Sequence, residues 1–321
     1  MPKKTITKFS AFVILVAFVS IVGGACHKNV VGDGKPPAFD RTQSAYDEPK
    51  IVGKFQSDEI TESSGIATSR CQQNVMWTHN DSGDGAFIFA FNSEGKHLGI
   101  WQVQNLENID WEDMAGFKDG DGKCYLYIGE MGNSNKNERS EHKIYRVAEP
   151  IVRPSDSSST RKKPLQTEPA AALTFSYPDI KQDAETLMVH PKTGEIYVVT
   201  KHRSTPAAVY KLKPVFDGPV VKAEKIANIT VPAIPNGFLT GGDIAPDGNR
   251  AVICDFFAAY EFTLPDGGKN FDEIWKQKPS VVEMGDRKQG EAIGYSADGL
   301  SIFATSEGRF SPIIEAKKRI P

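Results

Sequence analysis

This chain lacks the motifs that would assign an enzyme class directly. It contains no G-x-S-x-G nucleophile elbow, P-loop, H-E-x-x-H zinc motif or dinucleotide fingerprint. Its six histidines and four cysteines show no zinc-ligand spacing. The net charge is −3 and the 38 Lys and Arg residues are scattered, so no nucleic-acid surface is predicted. Long helical periodicity is also absent. Short alternating apolar runs, punctuated by 28 Gly and 20 Pro, predict an all-β chain.

The N-terminus carries an export signal. Three lysines precede an apolar run from Phe9 to Val22, which is short for a membrane span. The following Gly23-Gly24-Ala25-Cys26 resembles a bacterial lipobox, which would make Cys26 the lipidated first residue of a cell-envelope lipoprotein. Because Gly23 departs from the pattern, cleavage and release to the periplasm or medium is the alternative. We predict a signal peptide over 1–25, a polar tether over 26–48 and one folded domain over 49–321.

An internal repeat organises the rest of the chain. Five segments begin with acidic or polar residues, continue into a small apolar run and end at a turn: ESSGIA, DWEDMA, DAETLM, TGGDIA and QGEAIG. Aligning Ile66, Met114, Leu187, Ile244 and Ile293 gives steps of 48, 73, 57 and 49 residues. The long step contains a polar insertion, Ser155–Thr167, that we expect to form a surface loop. The remaining period is typical of a four-stranded propeller blade.

We therefore predict a single β-propeller of five four-stranded blades. The fifth repeat ends after three strands, whereas Lys50–Gln56 is a strand without a blade. Pairing this N-terminal strand into the last blade would close the ring and leave no open edge. A propeller of six blades, with a degenerate blade inside residues 215–240, is the alternative.

The cysteines of the domain are assigned separately. Cys254 lies in the apolar run AVICDF and is predicted to be a buried thiol. Cys71 ends the first strand of one repeat, and Cys124 begins the second strand of the next. Both positions belong to the same face of neighbouring blades, so a disulfide is predicted, with two free thiols as the alternative.

The opposite face, which we call the mouth, is rich in carboxylates. Because strands in a blade are antiparallel, first-strand starts and second-strand ends meet there. Glu112, Glu185 and Glu291 occupy the same repeat position. The first strands contribute Glu62, Asp110, Glu112, Asp113, Asp183, Glu185, Asp243 and Glu291, and the second strands add Asp81, Glu130, Asp255 and Glu307, with Lys201 as the cationic exception.

Crowded carboxylates repel one another unless a cation compensates them. A site built only from oxygen donors favours Ca²⁺ or Mg²⁺, and we predict Ca²⁺. The predicted metal ligands are Glu62, Glu112, Glu185, Asp243 and Glu291. The alternative is that these acids cap turns and pair with Lys or Arg. Neither Asp81-Ser-Gly-Asp84 nor Asp119-Gly-Asp121 has EF-hand spacing.

Catalytic and substrate-binding residues are predicted on the same face. Glu112, Glu185 and His79 are predicted catalytic residues, with His79 as a base or, alternatively, a structural hydrogen-bonding histidine. The predicted substrate-binding residues are Asp81, Glu130, Lys201, His202, Arg203, Asp255 and Glu307. Arg139 and Arg309 join the basic residues Lys201, His202 and Arg203 as candidates for an anionic group.

The blade motifs resemble a group of exported bacterial propellers. The strings VMWTHNDSGD, YLYIGEMGN, DAETLMVHPKTGEIYVVTK and QGEAIGYSADG carry this resemblance, which covers about residues 50–315. More distantly, the pattern is similar to the regucalcin/gluconolactonase, NHL-like and phytase-like propellers. That similarity implies a central acidic mouth that binds a divalent metal. Glu62 is similar in place to the first metal-binding Glu of the lactonase group.

Two functions fit these observations. The first is a metal-dependent hydrolase of esters, lactones or phosphoesters, with a spare carboxylate as base. The second is a non-catalytic module that presents its mouth to a glycan, peptide or protein. In either case we expect a monomer with a small-molecule or glycan ligand, no nucleic-acid partner, and membrane association only through a lipid anchor.

Overall fold

The computed structural model describes residues 34–133, 139–179 and 181–320. The predicted signal peptide and Cys26 lie outside these residues. In chain order the strands are β1 (Lys50–Lys54), β2 (Ser63–Thr68), β3 (Met76–Asn80), β4 (Phe87–Phe91), β5 (His97–Gln102), β6 (Trp111–Lys118), β7 (Cys124–Glu130), β8 (His142–Ala148), β9 (Leu165–Gln166), β10 (Ala171–Ser176), β11 (Ala184–Val189), β12 (Ile196–Thr200), β13 (Ala207–Leu212), β14 (Val221–Lys222), β15 (Glu224–Ile229), β16 (Gly241–Ile244), β17 (Arg250–Cys254), β18 (Ala259–Thr263), β19 (Ser280–Val282), β20 (Gly290–Tyr295), β21 (Ser301–Ser306) and β22 (Pro312–Lys317). Two 3₁₀ helices, η1 (Pro154–Ser158) and η2 (Phe271–Lys276), complete the elements. Within the described residues, no helix is long and apolar enough to cross a membrane.

The strands form five four-stranded antiparallel blades around a common axis, which confirms the predicted propeller. Blade I contains β2 to β5, blade II contains β6 to β8 and β10, and blade III contains β11 to β13 and β15. Blade IV contains β16 to β19, and blade V contains β20 to β22 with β1. The first strands of the repeats, β2, β6, β11, β16 and β20, surround the axis, and each contacts the next around the ring.

Closure of the ring occurs as predicted. β1 pairs antiparallel with β22, and Ile51 lies opposite Ile314. The N-terminal strand therefore completes the last blade, so that blades I and V meet without an open edge between them. The alternative of a sixth blade is wrong. β14 in residues 215–240 extends the outer edge of blade II, and β15 is the fourth strand of blade III.

The insertion in the second repeat is not the simple surface loop that we expected. It contains most of η1, and β9 pairs in parallel with β5, placing Leu165 opposite Trp101. The Ser159 hydroxyl also accepts a hydrogen bond from Ile100 N at 2.8 Å. The physical reason is that the outer strand of blade I has unpaired backbone groups, and the insertion satisfies some of them.

Part of the predicted tether also belongs to the folded domain. Lys35 forms an isolated β-bridge with Ile234. Tyr46 is only 2% exposed, and its hydroxyl donates to Glu261 Oε1 at 2.6 Å. The same oxygen accepts the Tyr295 hydroxyl and lies 3.1 Å from Arg250 Nη1. Residues 34–48 therefore pack along the outside of the propeller.

Cys71 and Cys124 are joined by a disulfide that links blades I and II. Their Cα atoms are 6.1 Å apart, on the face opposite the mouth. Cys254 is a buried free thiol, and burial raises its pKa to about 11. It is therefore protonated at neutral pH and is not a nucleophile.

Candidate functional site

One repeat position of the first strand faces the mouth in each blade. It lies two residues before the aligned apolar residue and is occupied by Ser64, Glu112, Glu185, Gly242 and Glu291. Four of the five blades carry a β-bulge at this position, blade IV being regular. A bulge inserts one extra residue and re-aims its side chain. The bulges therefore direct Glu112, Glu185 and Glu291 toward the mouth.

Five carboxylates of the mouth form two groups that share Asp81. In the first group, carboxylate oxygens of Asp81, Asp110 and Glu112 lie within 4.8 Å of one another. In the second, oxygens of Asp81, Glu291 and Glu307 lie within the same distance. Such oxygen-only clusters have the chemistry of a Ca²⁺ or Mg²⁺ site.

This crowding raises the pKa values of the carboxyl groups. Burial, together with the charges of Asp110, Glu307 and Glu62, raises the pKa of Asp81 to about 7. Burial also raises the pKa values of Glu112 and Glu291 well above their usual range, and neighbouring carboxylates add to both shifts. Without a compensating cation, these groups therefore hold protons that exposed carboxylates would have lost.

Lys201 supplies one such positive charge. Its ammonium group contacts Glu185 directly, and Nζ lies 4.6 Å from the centroid of the Phe238 ring. Burial opposes the charged form of Lys201, but the carboxylates of Glu185 and Glu291 outweigh it and raise the lysine pKa. Burial raises the pKa of Glu185 to about 8, although Lys201 acts in the opposite direction. Lys201 and Glu185 thus form a buried, hydrogen-bonded pair beside the two carboxylate groups.

The loop after β7 packs tightly against the first carboxylate group. A Cβ atom at Gly132 would overlap Glu112 Oε1, so only glycine leaves room for that side chain. Arg139 Nη1 lies 2.6 Å from Glu130 Oε1, and its Nη2 lies 3.9 Å from Asp110 Oδ2. Glu130 also accepts the backbone N–H of Asp110 at 2.9 Å. Glu130 and Arg139, predicted to bind ligands, thus support the loop that positions Asp110.

Asp243 is not placed as the predicted metal ligand should be. It lies one residue beyond the mouth position, which Gly242 occupies in blade IV, and it shares its repeat position with Asp113. Asp243 Oδ2 accepts Tyr295 N at 2.9 Å and lies 3.6 Å from Arg70 Nη2. Asp113 Oδ2 likewise accepts Leu187 N and Gly242 N, at 2.9 and 3.1 Å. Both carboxylates therefore link first strands of different blades below the mouth.

His79 and Asp255 also have structural environments. The His79 ring is fully buried, its centroid is 5.6 Å from that of Trp111, and its Nδ1 lies 2.9 Å from Asn80 O. Burial lowers the pKa of His79 to about 4, and the ring is enclosed in the blade, so it is not positioned as the predicted base. Asp255 accepts two backbone N–H groups of its own loop and the Tyr260 hydroxyl.

The remaining predicted residues lie around the rim. Glu62 forms an isolated β-bridge with Glu307, which places blade I beside the second carboxylate group. His202 N donates to Gly237 O at 2.7 Å, and the Arg203 guanidinium lies 4.8 Å from the Phe238 ring centroid. Asp183 accepts the backbone N–H of Asn133 at 3.0 Å.

Three contributors were not predicted from the sequence. Ser64 donates to Glu291 Oε2 at 3.3 Å, and the repeat alignment could have found it because it occupies the mouth position of blade I. Gly132 and Phe238 belong to no repeat position that we aligned. Gly132 meets Glu112 within blade II, whereas Phe238 reaches Lys201 only because the segment before β16 lies against blade III.

Two solved structures are similar to this chain. One is a gluconolactonase from Xanthomonas campestris, with a TM-score of 0.48 and 11% sequence identity over 88% of this chain and 95% of that one. The other is a luciferin-regenerating enzyme, with a TM-score of 0.46 and 8% identity over 84% of this chain and 95% of that one. No family model and no curated protein matches the chain. The likeness concerns the fold alone.

Proposed function

We propose that this protein is an exported, metal-dependent hydrolase that cleaves an ester, lactone or phosphoester at the mouth of the propeller. One observation carries the proposal. The two carboxylate groups that share Asp81 lie beside the buried, hydrogen-bonded pair of Glu185 and Lys201. A cation site next to a titratable acid and a fixed positive charge is the combination that hydrolysis of such substrates requires.

The cation would be held by carboxylates from three blades. Asp81, Asp110 and Glu112 form one potential ligand set, and Glu291 and Glu307 extend it through Asp81. The donors are all oxygen atoms and their pKa values are raised by burial and crowding, so a hard divalent cation, best Ca²⁺, fits them. When bound, the cation supplies Lewis acidity that polarises the substrate and acidifies water.

The residues of the chain supply proton transfer and charge. Glu185 has a pKa of about 8, which is matched to proton transfer near neutral pH. It would take a proton from water and return it to the leaving group. Lys201 stays protonated beside it, held over Phe238, and would stabilise negative charge that develops on the substrate. Arg203, whose guanidinium lies over the same Phe238 ring, would attract an anionic substrate.

The test compares the wild type with Glu185→Gln and with Glu224→Gln, a control on the exposed outer strand of blade III. Turnover of an ester, a lactone and a phosphoester is measured in chelator and in Ca²⁺, together with the melting temperature. We expect Ca²⁺-dependent turnover that falls by about 100-fold or more in Glu185→Gln and is unchanged in the control. Stability that is independent of cations, with no turnover of any substrate, would leave the non-catalytic binding module as the function.

We further propose that the protein is anchored in the cell envelope through a lipid on Cys26 and acts as a monomer on a small-molecule or glycan ligand. The Gly23-Gly24-Ala25-Cys26 sequence supports the anchor. Mass spectrometry of the native N-terminus tests it, with Cys26→Ser as the released control. A mature N-terminus without lipid would indicate the secreted or periplasmic alternative. Sedimentation of the released form tests the oligomeric state.

A further inference from the structure

One residue of the mouth rim has a backbone conformation that its side chain does not favour. Among the described residues, four that are not glycine have positive φ: Asn74, Asn105, Asp217 and Phe310. Asn and Asp tolerate the left-handed region because their short polar side chains bond locally. A phenylalanine with φ of 56° is an outlier that costs free energy.

Packing of the ring does not compensate this cost. The Phe310 side chain belongs to a residue that is 49% exposed, whereas Phe89 and Phe91 of blade I are fully buried. A half-exposed ring gains little from the hydrophobic effect. Neither local conformational preference nor the core therefore explains a phenylalanine at this position.

The loop that carries Phe310 is held firmly in place. The Ser311 hydroxyl lies 2.8 Å from Glu307 O and 2.7 Å from Gly308 O, and its single proton is donated to these two carbonyl groups. Gly308 N donates to Thr61 O at 2.7 Å, which fixes the loop to the approach to blade I. These bonds impose the left-handed conformation on Phe310. Strain that the surroundings hold in this way is typical of functional sites.

The position of the loop indicates what the ring could contact. Residues 307–311 connect β21 to β22 on the mouth face, and Glu307 at the start of the loop belongs to the second carboxylate group. Phe310 follows it by three residues. The loop thus places a half-exposed phenylalanine on the mouth face, close in sequence to a site that contains carboxylates, Lys201 and the Phe238 ring.

We propose that Phe310 is a specificity residue that packs against a ring in the substrate, either an aromatic ring or the apolar face of a cyclic ester or sugar. This inference rests on the proposed hydrolase function and narrows its substrate class to ring-bearing compounds. The ring contributes apolar and stacking contact, while the carboxylates and Lys201 act on the polar bond that is cleaved.

The first test separates a binding role from a structural one. In Phe310→Asn the ring is removed and the left-handed backbone is relieved, whereas Phe310→Tyr keeps the ring. For 4-nitrophenyl acetate and gluconolactone we expect the KM of Phe310→Asn to rise about tenfold with little change in kcat. The KM for methyl acetate, which has no ring, should not change, and Phe310→Tyr should match the wild type. The melting temperature of Phe310→Asn should rise by about 2 °C.

The second test works without turnover. A Phe310→Trp variant is titrated in Ca²⁺ with 4-nitrophenol, gluconolactone and methyl acetate while its tryptophan emission is compared with that of the wild type. Only 4-nitrophenol and gluconolactone, which contain a ring, should change the emission that the variant shows in addition to that of the wild type. If the wild type turns nothing over but this emission responds, the hydrolase proposal fails and the Phe310 contact stands. If turnover occurs and Phe310→Asn equals the wild type on every substrate, the contact is refuted and the hydrolase stands. If the additional tryptophan emission does not change and no substrate is turned over, both the hydrolase proposal and the Phe310 contact are refuted.

Discussion

Replacing Asp81 by Asn should make the protein more stable without a cation and less responsive to one. Asp81 belongs to both carboxylate groups, and its pKa is about 7 in the folded protein against 3.8 in an exposed chain. Between these two values, the unfolded chain loses a proton that the folded protein keeps. The contribution of Asp81 to stability is therefore greatest below pH 3.8 and is lost as pH rises through about 7.

The magnitude follows from that pKa difference. One pKa unit is about 1.4 kcal/mol. Relative to the stability at low pH, the raised pKa of Asp81 therefore lowers the stability of the cation-free fold by about 4 kcal/mol at pH 8 and by about 2 kcal/mol at pH 5. The asparagine carries no charge but keeps an oxygen that can accept the Ser82 N–H. In chelator at pH 8 we expect Asp81→Asn to melt up to about 8 °C above the wild type.

With Ca²⁺ the difference in stability between the two proteins should become smaller. A cation present at 100 times its dissociation constant adds about 2.7 kcal/mol to the wild type, and the variant should lose most of this gain because both groups lose a ligand. Calorimetric melting at pH 5 and pH 8, in chelator and in Ca²⁺, measures both effects. Asp266→Asn, an exposed acid in a turn on the opposite face, is the matched control. Equal Ca²⁺ gains in Asp81→Asn and wild type, or a lower melting temperature of the variant in chelator at pH 8, would refute the reasoning.

Three further predictions concern the scaffold. The double variant Cys71→Ser, Cys124→Ser removes a disulfide between residues that are 53 apart in the sequence. It should lower the free energy of unfolding in urea by about 4 kcal/mol. Tyr46→Phe removes a hydroxyl bond to a buried carboxylate and should cost about 2 kcal/mol in the same assay. Gly132→Ala places a methyl group against Glu112 and should reduce the Ca²⁺-dependent rise in melting temperature.

Each of these predictions has an outcome that would contradict it. The double cysteine variant should equal the wild type measured under reducing conditions, and a difference between them would mean that the substitutions act by another route. An unchanged unfolding midpoint in Tyr46→Phe would mean that residues 34–48 do not stabilise the propeller. For Gly132→Ala the control is Gly120→Ala in the β6–β7 turn of the same blade, where an added Cβ meets no atom within 4 Å. Equal Ca²⁺ responses in the two glycine variants would contradict the predicted effect on the site.

The repeat and the face of each residue could be predicted because they depend on local patterns. The aligned apolar residues and the turns between strands define each hairpin, and antiparallel pairing then assigns strand ends to one face. The unpaired strand at Lys50–Gln56 and the incomplete fifth repeat together required closure. Glu112, Glu185 and Glu291 were correctly grouped at the mouth for the same reason.

The membership of the carboxylate groups could not be predicted in this way. Asp243 was assigned to the mouth because it opens a first strand, but it lies one residue beyond the mouth position, and neighbouring residues of a strand point to opposite sides. The role of Asp81 depends on blades I, II and V meeting at one place. That meeting is a long-range contact that no local pattern contains.

The sequence by itself determined the propeller, its closure by an N-terminal strand and the acidic character of one face. Strand alternation, turns and the repeat period depend on residues that are close together in the sequence. The tertiary structure alone decided which acids share a site, which ones hold blades together and which protons they keep. Those properties depend on burial and on distances between blades, and a pKa responds to both.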